Sequence, residues 1–198
     1  MYRSLRSPTL AAMTTTIPTG TVSFLFTDVE GSTRLWETHA DDMGASLSVH
    51  DEIMQAGVAE HGGHVFSTAG DAFAVAFPSV DDAIAAATAI QLRLLDASWP
   101  GPAIKVRMGI HTGEAQERGG DYFGPVLNRA ARIMSAGHGG QILLSSVTSR
   151  RVDDDSLHDL GTHHLKDLAE PEHVFEIRHP GLPVVAAPIR TVDVRRHN

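Results

Sequence analysis

At 198 residues, 42% of them hydrophobic and 20% charged, the chain is long enough to bury one sizeable core and short for two. It contains no cysteine, which excludes a disulfide scaffold, a thiol nucleophile, an iron–sulfur cluster and every cysteine-based zinc site, and leaves any catalysis to oxygen, nitrogen or a hard metal. Sixteen Lys and Arg against 24 Asp and Glu give a formal charge of −8, unsuited to a chain whose main ligand is a large polyanion such as duplex DNA, while a small anionic substrate stays open.

No apolar run approaches the roughly 20 residues that a membrane-spanning helix needs, and the start, MYRSLRSPTLAAM, has too broken an apolar stretch for a secretory signal. A cytoplasmic setting with no membrane and no nucleic-acid partner is expected. Twelve histidines invite a metal reading, but His61 and His64 flank two glycines, His163 and His164 adjoin each other, and no HExxH occurs, so scattered surface histidines are expected.

Residues 1–19 are rich in Thr, Ser and Pro without periodicity and read as a flexible lead-in, within which Met13 is a candidate natural start. One domain is expected over 20–179, followed by a flexible tail over 180–198. Residues 21–27, a β-branched and aromatic run, predict a buried strand that delivers Asp28 just beyond its C-terminal end. Gly31-Ser32-Thr33 then opens a predicted helix reaching about Glu60 and closed by His61-Gly62-Gly63. Two short strands, 64–69 and 72–77, flank Gly70-Asp71, a pair suited to a tight hairpin, so Asp71 sits at a turn beside whatever the first strand presents.

Pro78-Ser79-Val80-Asp81-Asp82 reads as a capped helix start, and Ala83, Ala87, Ile90 and Leu94 follow on one face before Trp99-Pro100-Gly101. Residues 104–112 predict a strand whose partner runs from Glu114 towards Arg118, ahead of Gly119-Gly120. Gly124-Pro125 opens a third helix to about Ala136, with proline where its missing N–H costs nothing. Residues 141–145 form a last core strand, then a short helix and a final hairpin of 157–165 with 173–178. The order strand, helix, strand, strand, helix, strand predicts an α+β fold: a ferredoxin-like, split βαβ, palm-type antiparallel sheet with helices packed on it and a C-terminal hairpin extension. Such sheets host unrelated functions, so the residues must decide.

Asp28 and Asp71 admit two readings. A register that sets the first strand beside the hairpin would bring both carboxylates to one hard cation such as magnesium, which takes its remaining ligands from water and phosphate. Alternatively, Asp28 caps the following helix and Asp71 makes a turn. Gly31-Ser32-Thr33 offers free backbone N–H groups for a polyphosphate. Asn128 and Arg132 lie one turn apart on one helix face, so an amide that can orient a sugar and a guanidinium that can clamp a phosphate point the same way.

Five ordered blocks carry a resemblance. Phe26-Thr27-Asp28-Val29-Glu30-Gly31-Ser32-Thr33, residues 68–77 around Gly70-Asp71, Arg107-Met108-Gly109-Ile110-His111-Thr112-Gly113, residues 120–132, and Gly140-Gln141-Ile142-Leu143-Leu144-Ser145 together resemble the catalytic domain of class III adenylate/guanylate cyclases, over residues 21–178. The resemblance implies that Asp28 and Asp71 hold two Mg2+ or Mn2+ ions per site with the Val29 carbonyl, and that Gly31, Ser32 and Thr33 form the phosphate-binding turn. It implies further that Asn128 orients the ribose, Arg132 stabilises the transition state, Asp121 reads the purine and Lys166 contacts the terminal phosphates. One position departs: Ser67 stands where many adenylate cyclases carry a lysine that contacts the adenine, so base selection would lean on Asp121.

In this family the metal aspartates come from one subunit and the purine reader, Asn and Arg from the other, so a head-to-tail homodimer with two composite sites is implied. The expected activity is adenylate cyclase, with ATP cyclised to 3′,5′-cyclic AMP and pyrophosphate. The alternatives are a weakly active or inactive cyclase-homology domain that binds nucleotide and regulates a partner, and a guanylate cyclase.

Overall fold

The computed structural model describes residues 17–152 and 156–191; Met13 and most of the lead-in lie outside them, as does the end of the expected tail. Strand β1 (Thr21–Val29) is hydrogen-bonded along both edges, antiparallel to β3 (Ala72–Phe77) and to β4 (Val106–Glu114). A strand flanked on both sides and covered on both faces has to be apolar almost throughout. Residues 22–25 and Val29 are accordingly buried. With β2 (His64–Ala69), β7 (Ile142–Ser145), β8 (Leu157–His163) and β9 (Glu172–Ile177), they make a seven-stranded sheet in the order β2-β3-β1-β4-β7-β9-β8.

The fold is α+β, as expected. β1 and β2 run parallel with β3 inserted between them, which is the split βαβ arrangement. Every other neighbouring pair is antiparallel except β4 with β7, whose parallel pairing follows from the crossover through α4 (Pro125–Ala136).

Alternation along β1 sends its side chains to two cores. Leu25 and Val29 join Met54, Val75, Phe77, Ala87, Ile90, Met108 and Ile110 beneath α2 (Ala40–Glu60) and α3 (Val80–Asp96). Val22 and Phe24 join Tyr122, Val126 and Ala130 on the opposite face, under α4. α4 approaches β4 closely because Gly109 has no side chain: a Cβ there would stand 2.3 Å from the Met134 amide nitrogen. α3 starts as its sequence requires, with Ser79 Oγ accepting from the Asp82 N–H at 3.0 Å and donating to its carboxylate at 2.7 Å.

Four expectations need correction. The long first helix is two, α1 (Ser32–Thr38) and α2, broken at His39 (φ −137°, ψ 43°). The Thr38 hydroxyl bonds back to the Arg34 carbonyl at 2.8 Å, competing with the helical ladder, and Asp41 and Asp42 favour a fresh N-terminus. β4 does not pair with the segment after Glu114, because its edges are already taken by β1 and β7. That segment forms β5 (Gln116–Arg118), which pairs only with β6 (Asp121–Phe123) in a separate ribbon turned by Gly119 and Gly120, both at positive φ.

Not all histidines are on the surface. His50 and His111 are buried, His50 against Asp51 and Phe73, His111 against Ser145 Oγ at 2.7 Å. Lastly, Asp28 belongs to β1 rather than following it, because the pairing with β4 continues through Val29 and Val106.

Beyond β9 the chain runs back across the end of α4. Ile189 is buried among Ile133, Ala136, Leu143, Leu165 and Val174. The Arg190 N–H donates to the Ala136 carbonyl at 2.7 Å, and His138 Nε2 donates to the Pro188 carbonyl at 2.9 Å. Among the described residues no helix is long and apolar enough to cross a membrane.

Candidate functional site

The register of β1 builds the acidic end of the site. Asp28 pairs directly with Arg107 on β4, whose guanidinium donates to Asp28 Oδ2, and both side chains are largely buried. On the other edge Thr27 pairs with Phe73, and continuing that register by two residues sets Val29 opposite Asp71. The two acids therefore stand at the same end of neighbouring strands. Asp71 Oδ2 is buried without a hydrogen-bond partner, and so is Arg107 Nε. An orphaned buried carboxylate oxygen costs about 1–3 kcal/mol and calls for a partner.

A cation is the partner that fits. The described residues contain no group of three or more His, Asp or Glu able to hold a metal, which argues against a zinc-type cage. Two carboxylates and a backbone carbonyl suit Mg2+ or Mn2+, which keep open positions for water and for substrate phosphates.

In front of Asp28 lies a cleft of about 900 Å3 lined by Val29, Gly31, Ser32, Thr33, Arg34, Lys105 and Arg107. Gly31 adopts a left-handed conformation (φ 70°, ψ 27°) that turns the chain from β1 into α1. No side chain caps that helix start, which leaves its first N–H groups without a side-chain acceptor beside the cleft that Gly31, Ser32 and Thr33 line.

Arg132 and Lys166 lie elsewhere. Arg132 on α4 and Lys166 in the β8–β9 connection line a second cleft of about 230 Å3. Arg132 is held by Asp167 at 2.8 Å, and Asp167 takes a left-handed conformation (φ 60°) to present its carboxylate. Asn128 is exposed one turn before Arg132. Asp121 is exposed at the start of β6, where its Oδ1 accepts from the Tyr122 N–H at 2.7 Å. Ser67 is exposed on the edge strand β2, after a bulge. Asn128, Asp121 and Ser67 line neither cleft. Within one chain the structure thus gathers Asp28, Val29, Gly31, Ser32 and Thr33 in one place and Arg132 with Lys166 in another.

Three residues of the Asp28 cleft escaped sequence reasoning. Arg107 stood in a motif block, and its place opposite Asp28 was readable only with the strand register. Glu30 likewise stood in a motif block, while Arg190, which pairs with it across the cleft wall, carries no local signal. His111, Ser145, Thr148, Thr112 and Ser23 form a buried chain of hydrogen bonds. Burial, aided by the nearby Arg129, pushes the His111 imidazole down to about 4, so it is neutral at physiological pH.

Residues 15–173 match the adenylate and guanylate cyclase catalytic domain family. An uncharacterised protein of Mycobacterium tuberculosis is 40% identical over 181 residues, covering 88% of this chain and 61% of its own length. The adenylate cyclase of Lachancea kluyveri is 38% identical over 155 residues, 65% of this chain but only 8% of that protein. The chain thus spans less than two thirds of these curated relatives. Among solved structures, an adenylate cyclase from Trypanosoma brucei in its monomeric state superimposes with a TM-score of 0.79 at 25% identity, covering 88% of this chain and 96% of that one. The family match spans well over half of the chain: the chain belongs to the class III adenylate/guanylate cyclase catalytic domain family.

Proposed function

We propose that the protein is an adenylate cyclase, converting ATP to 3′,5′-cyclic AMP and pyrophosphate in a head-to-tail homodimer with two composite sites. One observation carries this reading: Asp28 lines one cleft and Arg132 with Lys166 another, the two sharing only Arg190, so neither cleft alone holds all the expected site residues and each is half a site. A two-fold arrangement that sets the Asp28 cleft of one protomer against the Arg132 and Lys166 cleft of its partner completes both. The name of the fungal relative supports ATP as the substrate.

Two Mg2+ or Mn2+ ions, when bound, would neutralise the triphosphate and lower the pKa of the ribose 3′-hydroxyl. Asp28 and Asp71 would hold them from adjacent strands, with the Val29 carbonyl as a further donor. The N–H groups of Gly31, Ser32 and Thr33 would receive the β- and γ-phosphates. From the partner subunit, Asn128 would orient the ribose, Arg132 would face the charge developing on the α-phosphoryl group, and Lys166 would hold the terminal phosphates. The 3′-oxygen bonds to the α-phosphorus as the bond to the bridging oxygen breaks. Pyrophosphate leaves and the hydroxyl proton passes to solvent. Asp121 would accept from the adenine amino group, whereas guanine presents an acceptor there.

The test is incubation of purified chain with ATP or GTP and either Mg2+ or Mn2+, with chromatographic separation of the products. Cyclic AMP as the main product is expected. Cyclic GMP alone, or no cyclic product with either metal, refutes the reading.

A further inference from the structure

We propose that Arg190, supplied by the chain beyond β9, is a phosphate-binding residue of the Asp28 cleft that rests on Glu30 until a polyphosphate enters. The inference depends on the reading above only in taking that cleft as the triphosphate site. Its first support is position. Arg190 lines the Asp28 cleft and also the small cleft of Arg132 and Lys166, and no other described residue lines both. Its backbone is fixed independently of its side chain, through the buried Ile189 and the 2.7 Å hydrogen bond from its N–H to Ala136. The guanidinium is thus an arm on a fixed pivot, not the end of a loose tail.

The second support is that the Glu30 contact is dispensable to both partners. Glu30 sits between Val29 and Gly31, and its carboxylate also accepts from the Gly139 N–H and lies 3.5 Å from His138 Nδ1. With the Gly139 N–H still donating to it and water reaching its exposed edge, the carboxylate stays satisfied when Arg190 turns away. Arg190 is 44% exposed and Glu30 29%, so solvent screens their pair and the exchange is cheap. A triphosphate offers more charge than one carboxylate, and several oxygens for the planar fork of donors.

The test is titration calorimetry of the full chain with inorganic tripolyphosphate in Mg2+, on wild type, Arg190→Gln, Arg190→Lys and Glu30→Gln, with melting curves for each. Arg190→Gln should bind about tenfold more weakly, and Arg190→Lys should fall between it and wild type. Glu30→Gln should bind as tightly as wild type or more so, since it frees the guanidinium. Melting temperatures should stay close together, because Ile189 keeps the segment in place; if Arg190→Gln does not fold, Arg190→Lys carries the comparison. Equal losses in Arg190→Gln and Glu30→Gln would mean that the pair is only a latch, and would overturn the proposal, as would undiminished binding by the Arg190 variants. Wild type that binds tripolyphosphate, with the Arg190 dependence above, but yields no cyclic product upholds this proposal and sinks the cyclase reading. Wild type that binds no tripolyphosphate overturns the proposal directly.

Discussion

Replacing Asp71 with alanine should make the metal-free protein more stable and the enzyme inactive. Asp71 Oδ2 is buried with no partner, a condition whose cost lies at about 1–3 kcal/mol. The residue is only partly buried overall, so relief of the lower end, about 1 kcal/mol, is the reasonable expectation. For a domain of this size that corresponds to a melting temperature higher by about 2–4 °C in EDTA. Metal should reverse the order. At ten times its Kd, Mg2+ or Mn2+ adds about 1.4 kcal/mol to a protein that binds it only when folded, and Asp71→Ala forfeits that gain together with turnover. The assay is differential scanning calorimetry of both proteins in EDTA and across a metal titration, beside the cyclisation assay. If Asp71→Ala melts below wild type in EDTA, the carboxylate was holding the hairpin turn and the reasoning fails. Equal metal-induced shifts in the two proteins would remove Asp71 from the metal site.

The composite site makes a second prediction: mixing equal amounts of inactive Asp28→Ala and Arg132→Ala chains should restore about a quarter of wild-type activity, since half the dimers are mixed and each holds one intact site. No recovery despite demonstrated subunit exchange would refute sites shared between chains. For base choice, Asp121→Ala should lower the ATP-to-GTP ratio of kcat/KM on the order of tenfold, and Ser67→Lys should raise it; an unchanged ratio in Asp121→Ala rules that residue out as the purine reader. For pH, His111 has its folded pKa depressed from 6.5 to about 4, so between those values the unfolded chain binds the extra proton and stability falls as pH falls. The contribution is fully present above about pH 6.5 and its loss approaches about 3 kcal/mol near pH 4. Urea titrations from pH 7.5 to 4.5 should show His111→Gln losing less stability than wild type, and parallel losses would refute the assignment.

Much of the fold was legible because its signals are local. The hairpin at Gly70-Asp71, the Ser79 cap with the apolar face of α3, and Pro125 at the start of α4 each depend on residues within one or two turns of chain, and all lie where the sequence places them. The ordered motif blocks likewise pointed to the family, because a linear order of blocks is itself a property of the sequence. Edge occupancy is not: β5 has the look of a partner for β4, but β1 and β7 already fill both edges, and only the assembled sheet reveals it. The site divides in the same way. Asp28 and Asp71 are visible as acids at strand ends, whereas the pairing of Asp28 with Arg107 spans 79 positions, and that of Glu30 with Arg190 spans 160. Such contacts leave no periodicity in the chain. They arise when burial of the cores sets the strand register and draws the end of the chain across α4, and that same packing sets Asp28 in one cleft and Arg132 with Lys166 in another, bordered by Arg190.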